Sequence, residues 1–268
     1  MSGTRLETLA RFARRSKRSP VTAPNRWRSS DKTPMRIWAH RGDSAHVTEN
    51  TCEAFAAAVT KRADGVEFDV RCDKDGNVVV FHDDDLQRLC GRAGTVEGLR
   101  ANELAEVRLK GGERIPSLAQ AIEACGDLEL DVEIKSSHPG FGTALAHAVA
   151  DALATVKRPE RILVTCFDPF ALAAFRLRAP SFATGYLFHA DQARPLREGW
   201  PARLLGAACV NPDDSLVTRA RVQAWQRNGY AVNVWTVDDP MRLRELESFG
   251  VDGVFTNDPA ATRIALGR

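Results

Sequence analysis

From Arg36 onward, short apolar runs alternate with helix-like stretches, and this alternation limits the possible folds more than any other feature of the chain. The strand candidates are residues 36–40, 65–71, 78–82, 128–135, 161–166, 183–188, 207–211, 231–237 and 251–256. Helix-like stretches fall at 50–62, 117–124, 142–156, 169–178, 195–205, 218–228, 240–249 and 259–266, several with proline at the start and with Gly229 or Gly250 at the end, the usual asymmetry of helix boundaries. Strands that alternate with helices form a parallel sheet covered by helices. With 78–82 set aside as a hairpin strand beside 65–71, eight repeats remain. The expected fold is an α/β (β/α)8 TIM barrel with a short hairpin insertion after the second strand, since such barrels typically take about 250 residues. An open doubly wound sheet would need a phosphate loop, and neither GxGxxG nor GxxxxGK[ST] occurs.

A buried parallel strand should be almost continuously apolar. Several strands here break that rule. One reads Val66-Glu67-Phe68-Asp69-Val70 and another Asp131-Val132-Glu133-Ile134-Lys135, while His40 and His82 end two more. Side chains alternate across a strand, so Glu67 and Asp69 share a face, as do Asp131, Glu133 and Lys135. The apolar face must meet the helices. The polar face must then point into the barrel, toward the rim where sites of this fold are built. Three carboxylates at Glu67, Asp69 and Glu133 cannot all stay ionised without a counter-charge. A hard divalent cation with oxygen ligands, Mg²⁺ or Ca²⁺, resolves the conflict. Ion pairs with Arg41, Arg71 and Lys135 are the competing account. Two histidines suit a proton acceptor and a proton donor, and Arg41 and Lys135 supply fixed positive charge for a phosphate. The chemistry that fits this set is metal-assisted hydrolysis of an anionic phosphodiester.

The motifs His40-Arg41-Gly42, Glu49-Asn50-Thr51, residues 63–70, residues 79–83, Ile115-Pro116-Ser117-Leu118, Glu133-Ile134-Lys135, Trp235-Thr236-Val237 and residues 253–259 follow one another in order. Over residues 36–262 the chain resembles the glycerophosphodiester phosphodiesterase family. The resemblance implies a TIM barrel that releases sn-glycerol 3-phosphate and an alcohol. It implies His40 and His82 as the acid–base pair and Glu67, Asp69 and Glu133 as metal ligands. Arg41 and Lys135 are implied as phosphate contacts and Trp235 as a pocket wall. A route through a cyclic phosphate, formed by the substrate's own hydroxyl, is one of two the family allows; direct attack by water is the other. The chain departs from the family pattern at Thr48 (usually proline), at Arg88-Leu89-Cys90 (usually Arg-Thr-Thr), at Cys166-Phe167 (usually Ser-Phe) and in a short 87–113 insertion.

Charge is unevenly spread. Residues 1–33 hold nine basic and two acidic side chains, so the remainder carries net −5 against +2 overall. A body of that sign is a poor match for nucleic acid. Residues 1–33 read as a basic, disordered tail, with Leu6, Leu9 and Phe12 able to form one amphipathic turn, and 34–268 as the catalytic domain. No apolar run approaches the roughly 18 residues of a membrane span, so stable membrane insertion is not expected. The six cysteines lack CxxC spacing and read as reduced thiols of a cytoplasmic protein. The expected partner is a small phosphodiester, and the sequence leaves the oligomeric state open. A lysophospholipase D acting on one-tailed lipids and a catalytically silent binding barrel are the alternatives. Phe141, Phe167, Phe188 and Trp200 are further wall candidates; His46, His138, His147 and His189 read as surface or loop residues.

Overall fold

In the computed structural model, which describes residues 25–30, 33–136 and 142–268, the alternation closes into a ring. The strands are β1 (Arg36–His40), β2 (Gly65–Cys72), β3 (Val78–Val80), β4 (Glu129–Ile134), β5 (Ile162–Cys166), β6 (Ala183–Phe188), β7 (Cys209–Pro212), β8 (Ala231–Val234) and β9 (Gly253–Thr256). All but β3 run parallel, and β1 closes the ring by pairing with both β9 and β2. β3 lies antiparallel on β2, with Val70 opposite Val80. This is the expected eight-stranded barrel with its hairpin.

The two-residue period decides which side chains go where. On β2, Val66, Phe68 and Val70 join the outer core, where Phe68 meets Phe55 of α1 (Cys52–Thr60) at 5.4 Å between ring centres. Gly65, Glu67 and Asp69 therefore face the lumen. Outer helices begin at identifiable caps. Thr51 Oγ1 accepts the Ala54 N–H of α1 at 3.1 Å, and Asp168 and Asp239 cap helices that open with proline, Pro169–Arg178 and Pro240–Phe249. Such side-chain acceptors satisfy amide groups that the first turn leaves open.

Some boundaries differ from the sequence-based expectation. The expected 231–237 strand ends at Val234, and Trp235 keeps only a single bridge to Asp213. The expected 78–82 strand ends at Val80, leaving His82 on the following turn. The expected 195–205 helix is two short ones, Arg194–Arg197 and Trp200–Leu205. Gly199, at φ +73°, separates them with a left-handed residue that no helix interior accommodates.

The lower lumen is filled by Trp38, whose indole stacks on Phe255 and on Trp27, each at 6.0 Å between ring centres. A Cβ on Gly65 would lie 2.3 Å from the Trp38 ring, and one on Gly253 would lie 2.7 Å from its Nε1. Trp27 corrects the expected domain boundary. It is only 2% exposed. Arg36 Nη1 donates to its carbonyl at 2.9 Å, and the neighbouring Ser29 N–H donates to Asp252 Oδ1 at 2.6 Å. Asn25–Ser30 thus pack on the barrel, held by the buried indole and by its basic neighbours, Arg26 pairing with Glu129 at 2.8 Å and Arg28 with Asp252 at 3.3 Å. The amphipathic turn expected around Leu6, Leu9 and Phe12, together with His138 and Phe141, lies outside the described residues. All six cysteines are free thiols. No helix among the described residues is long and apolar enough to cross a membrane.

Candidate active site

At the upper end of the barrel, register brings the polar residues together. His40 on β1 pairs with Glu67 on β2, and Asp69 on β2 pairs with Glu133 on β4. One carboxylate oxygen from each of Glu67, Asp69 and Glu133 lies within 4.8 Å of the other two. All three side chains are buried, as is Asp131 one layer below.

Lys135 Nζ sits 2.6 Å from Glu133 Oε1 and 3.0 Å from Asp69 Oδ1, and Arg41 Nε lies 3.3 Å from Asp69 Oδ2. Asn50 Nδ2 donates to the same Asp69 oxygen at 2.8 Å. Burial pushes Asp69 upward, but Lys135 and Arg41 outweigh it and hold the carboxyl below its ordinary range. Glu67 receives no such compensation. Burial, then the charges of Asp69 and Glu133, raise it well above an ordinary glutamate, and only the nearby Arg41 opposes them. Its Oε2 accepts the Arg41 N–H at 3.1 Å, while its buried Oε1 has no hydrogen-bond partner. Arg71, expected among the counter-charges, points elsewhere and pairs with Asp84 and Glu97. Ion pairs therefore account for Asp69 alone: burial still outweighs Lys135 at Glu133 and raises it, and Glu67 is compensated only in part. An orphaned carboxylate oxygen beside two more carboxylates fits a hard cation with oxygen ligands.

Asp131 completes the buried polar layer. Burial raises it well above an ordinary aspartate, although Thr165 donates to Oδ1 at 2.6 Å and Asn211 to Oδ2 at 3.3 Å. Held by these two donors, it supports the floor of the cluster.

Two imidazoles flank the carboxylates, each fixed through Nδ1. His40 Nδ1–H donates to Asn257 Oδ1 at 2.8 Å, and that amide is oriented by its Nδ2 donating to Asp238 at 2.6 Å. Its Nε2 lies 3.9 Å from Glu67 Oε2. Burial, reinforced by Arg41, lowers the His40 pKa to about 4, so the ring is neutral and Nε2 is an acceptor near neutral pH. His82 Nδ1–H donates to Asp83 Oδ1 at 2.7 Å. Burial pushes Asp83 up, yet hydrogen bonds from Arg88 and His82 bring it down to about 2. Arg71 Nε and Nη2 donate to the His82 carbonyl at 3.2 and 2.9 Å and so hold the turn that carries the imidazole.

A compartment of about 200 Å³ joins His40, Arg41, Glu67, His82, Glu133 and Lys135 to the apolar surfaces of Phe167, Leu187, Trp235 and Phe255. Trp235 is held by Nε1 donating to the Asn211 carbonyl at 2.8 Å, and it meets Phe167 edge-on at 5.5 Å. A wider cleft of about 690 Å³ opens on the His82 side between Arg71, Asp83, Lys135 and Phe167. Every singled-out residue, namely His40, His82, Glu67, Asp69, Glu133, Arg41, Lys135 and Trp235, is thus at one end of the barrel. Two wall candidates are not. Phe188 is buried between Tyr186 and Trp225, and Trp200 is 61% exposed on an outer helix.

Sequence reasoning assigned no role to Asn50, Asp83, Glu49 or Asn257. All four lie inside quoted motifs, Asp83 directly beside His82, which was the available signal. A second group, Asp43, His46 and Asp258, also converges. Lys61 Nζ already stands 2.6 Å from Asp43 and 3.0 Å from His46, so an ammonium supplies the charge there.

Comparison with known proteins follows the same lines. Residues 40–261 match the model of the glycerophosphoryl diester phosphodiesterase family. A glycerophosphodiester phosphodiesterase of Caldanaerobacter subterraneus subsp. tengcongensis is 32% identical over 236 residues, covering 83% of this chain and 94% of that protein. Among solved structures, a phosphodiesterase of Oleispira antarctica in complex with the product sn-glycerol 3-phosphate superposes with a TM-score of 0.78 at 27% identity, over 88% of this chain and 98% of that one. A glycerophosphodiester phosphodiesterase of Thermotoga maritima gives 0.71 at 28% identity, over 87% and 98% of the two chains.

Proposed function

This chain belongs to the glycerophosphoryl diester phosphodiesterase family, and from that premise we propose that it hydrolyses glycerophosphodiesters to sn-glycerol 3-phosphate and an alcohol by metal-assisted acid–base catalysis. One observation carries the reading. Three buried carboxylates meet at Glu67, Asp69 and Glu133, and Glu67 and Glu133 line one small compartment with two imidazoles fixed through Nδ1, an arginine and a lysine.

Glu67, Asp69 and Glu133 would hold a divalent cation, Mg²⁺ or Ca²⁺. Once bound, it polarises a phosphoryl oxygen and lowers the pKa of an adjacent hydroxyl. Arg41 and Lys135 bind and orient the phosphate, the arginine through its planar fork and the lysine as a point charge. His40, neutral at working pH, accepts the proton of the attacking hydroxyl at Nε2. His82 gives its Nε2 proton to the departing alcohol oxygen while Asp83 accepts from Nδ1. The compartment walled by Trp235 and Phe167 suits a three-carbon glycerol, and the open charged cleft suits a polar alcohol. A lysophospholipid would have to lay its acyl chain beyond the compartment of about 200 Å³, in a cleft lined by the charged Arg71, Asp83, Asp84, Asp85 and Arg88. Six free thiols support a reducing compartment such as the cytoplasm as the place of reaction.

The test is release of glycerol 3-phosphate from glycerophosphocholine, followed with and without chelator. Chelation is expected to abolish turnover, and Mg²⁺ or Ca²⁺ to restore it. His82→Ala is expected to lose at least about 10²-fold, the scale of acid–base catalysis. Full turnover after exhaustive chelation rules out the metal role. Faster release of choline from lysophosphatidylcholine than from glycerophosphocholine overturns the substrate assignment.

A further inference from the structure

Arg88 stands on the four-residue helix Gln87–Cys90, with its side chain about half exposed. Four of its hydrogen bonds go to two carboxylates on different segments. Nη1 and Nη2 donate to Glu49 Oε2 and Oε1 at 2.9 and 2.7 Å. Nε and Nη2 donate to Asp83 Oδ2 and Oδ1 at 2.6 and 2.8 Å. Each carboxylate has its other partner in the active site. Glu49 Oε1 accepts from Arg41 Nη1 at 2.8 Å, and Asp83 Oδ1 accepts from His82 Nδ1 at 2.7 Å. One guanidinium therefore joins the side chain that faces the phosphate to the imidazole that faces the departing alcohol.

We infer that Arg88 is a positioning residue for this reaction: a single two-sided clamp that sets Arg41 through Glu49 and His82 through Asp83. The inference rests on the function proposed above. The chemistry needs arginine. A planar fork can serve two carboxylates side by side, whereas an ammonium of the same charge cannot reproduce two bidentate contacts. The clamp also sets the charge that each partner feels. Burial pushes Glu49 up, and the bonds from Arg88 and Arg41 overcome it and keep the carboxylate ionised. Without Arg88, Glu49 and Asp83 would each be a carboxylate held by one site residue alone, free to draw that residue out of line. A half-exposed ion pair with a merely structural role adds little to stability and leaves kinetics unchanged. A positioning role appears in turnover and binding, because small misplacements of reacting groups are costly.

The test uses the full chain with saturating divalent cation and glycerophosphocholine. It compares Arg88→Ala, Arg88→Lys, Asp83→Asn, Glu49→Gln and the double variants of Arg88→Ala with each of the last two. Arg88→Ala is expected to lower kcat/KM at least tenfold, with both a lower kcat and a higher KM. Arg88→Lys is expected to recover less than a third of the loss, and added guanidinium ion to raise the turnover of Arg88→Ala. Asp83→Asn is expected to act mainly on kcat and Glu49→Gln mainly on KM. In either of those backgrounds Arg88→Ala should cost markedly less than it does alone. The inference is overturned if Arg88→Ala stays within twofold of wild type in both constants, if Arg88→Lys restores full activity, or if the losses multiply in full. A wild-type protein that releases no glycerol 3-phosphate sinks the underlying function instead, so the two failures are distinct. Should Arg88→Ala fail to fold by thermal melting, the lysine variant and the Asp83→Asn and Glu49→Gln split still decide the outcome.

Discussion

At the scale of single residues, burial sets the proton inventory of this site. Glu67 is raised and only partly compensated, Asp69 is lowered by two cations, and His40 is lowered to about 4 by burial and by Arg41. The histidine has a measurable consequence for stability. In the unfolded chain its imidazole takes a proton as pH falls through about 6.5; in the folded chain it waits until about 4. Between those values the unfolded state binds more protons, so stability falls with falling pH. The loss attributable to His40 reaches up to about 3 kcal/mol at the acid end of the window, which runs from about 6.5 to about 4. Urea unfolding at pH 7 and pH 4.5 should show a smaller difference for His40→Gln than for wild type. Equal slopes would mean that the buried ring has no proton deficit. The inward carboxylates were legible in the sequence because a two-residue period leaves Glu67, Asp69 and Glu133 no other face. The residues that fix the imidazoles were not. Asn257 and Asp83 act through hydrogen bonds of 2.8 and 2.7 Å that exist only once separate loops have met.

At the scale of elements, the residue each neighbouring strand carries in the lower lumen is limited by what it can tolerate opposite Trp38. Gly65 on β2 and Gly253 on β9 leave the room that the indole fills. Gly65→Ala places a methyl group 2.3 Å from the ring, and overpacking of this kind typically costs about 1–3 kcal/mol. Thermal unfolding should show that loss, and Trp38→Leu in the same chain should return part of it. If Gly65→Ala alone leaves the melting temperature unchanged, the strand does not depend on that close fit. The alternation of elements was readable from Arg36 to the end because apolar period and proline-led helix starts agree. The early end of β8 was not, since Trp235-Thr236-Val237 keeps a strand-like composition, whereas the break at Gly199 had a signal in that glycine and Pro201 two residues on.

At the scale of the whole molecule, the barrel has a working end and a sealed end. The seal is Trp27, contributed by a segment whose basic composition hides one aromatic side chain of large apolar surface. Truncating a buried tryptophan to alanine typically costs about 3–5 kcal/mol, so Trp27→Ala should lower the urea midpoint sharply. It should leave KM for glycerophosphocholine unaltered in the fraction that remains folded, because the indole stacks on Trp38 and lines neither site compartment. A raised KM would show that the two ends communicate. The stacked indoles of Trp27 and Trp38 have a further effect on traffic. With the far end stoppered by these indoles, traffic to and from the site is left to the upper rim, where the compartment adjoins the wider cleft.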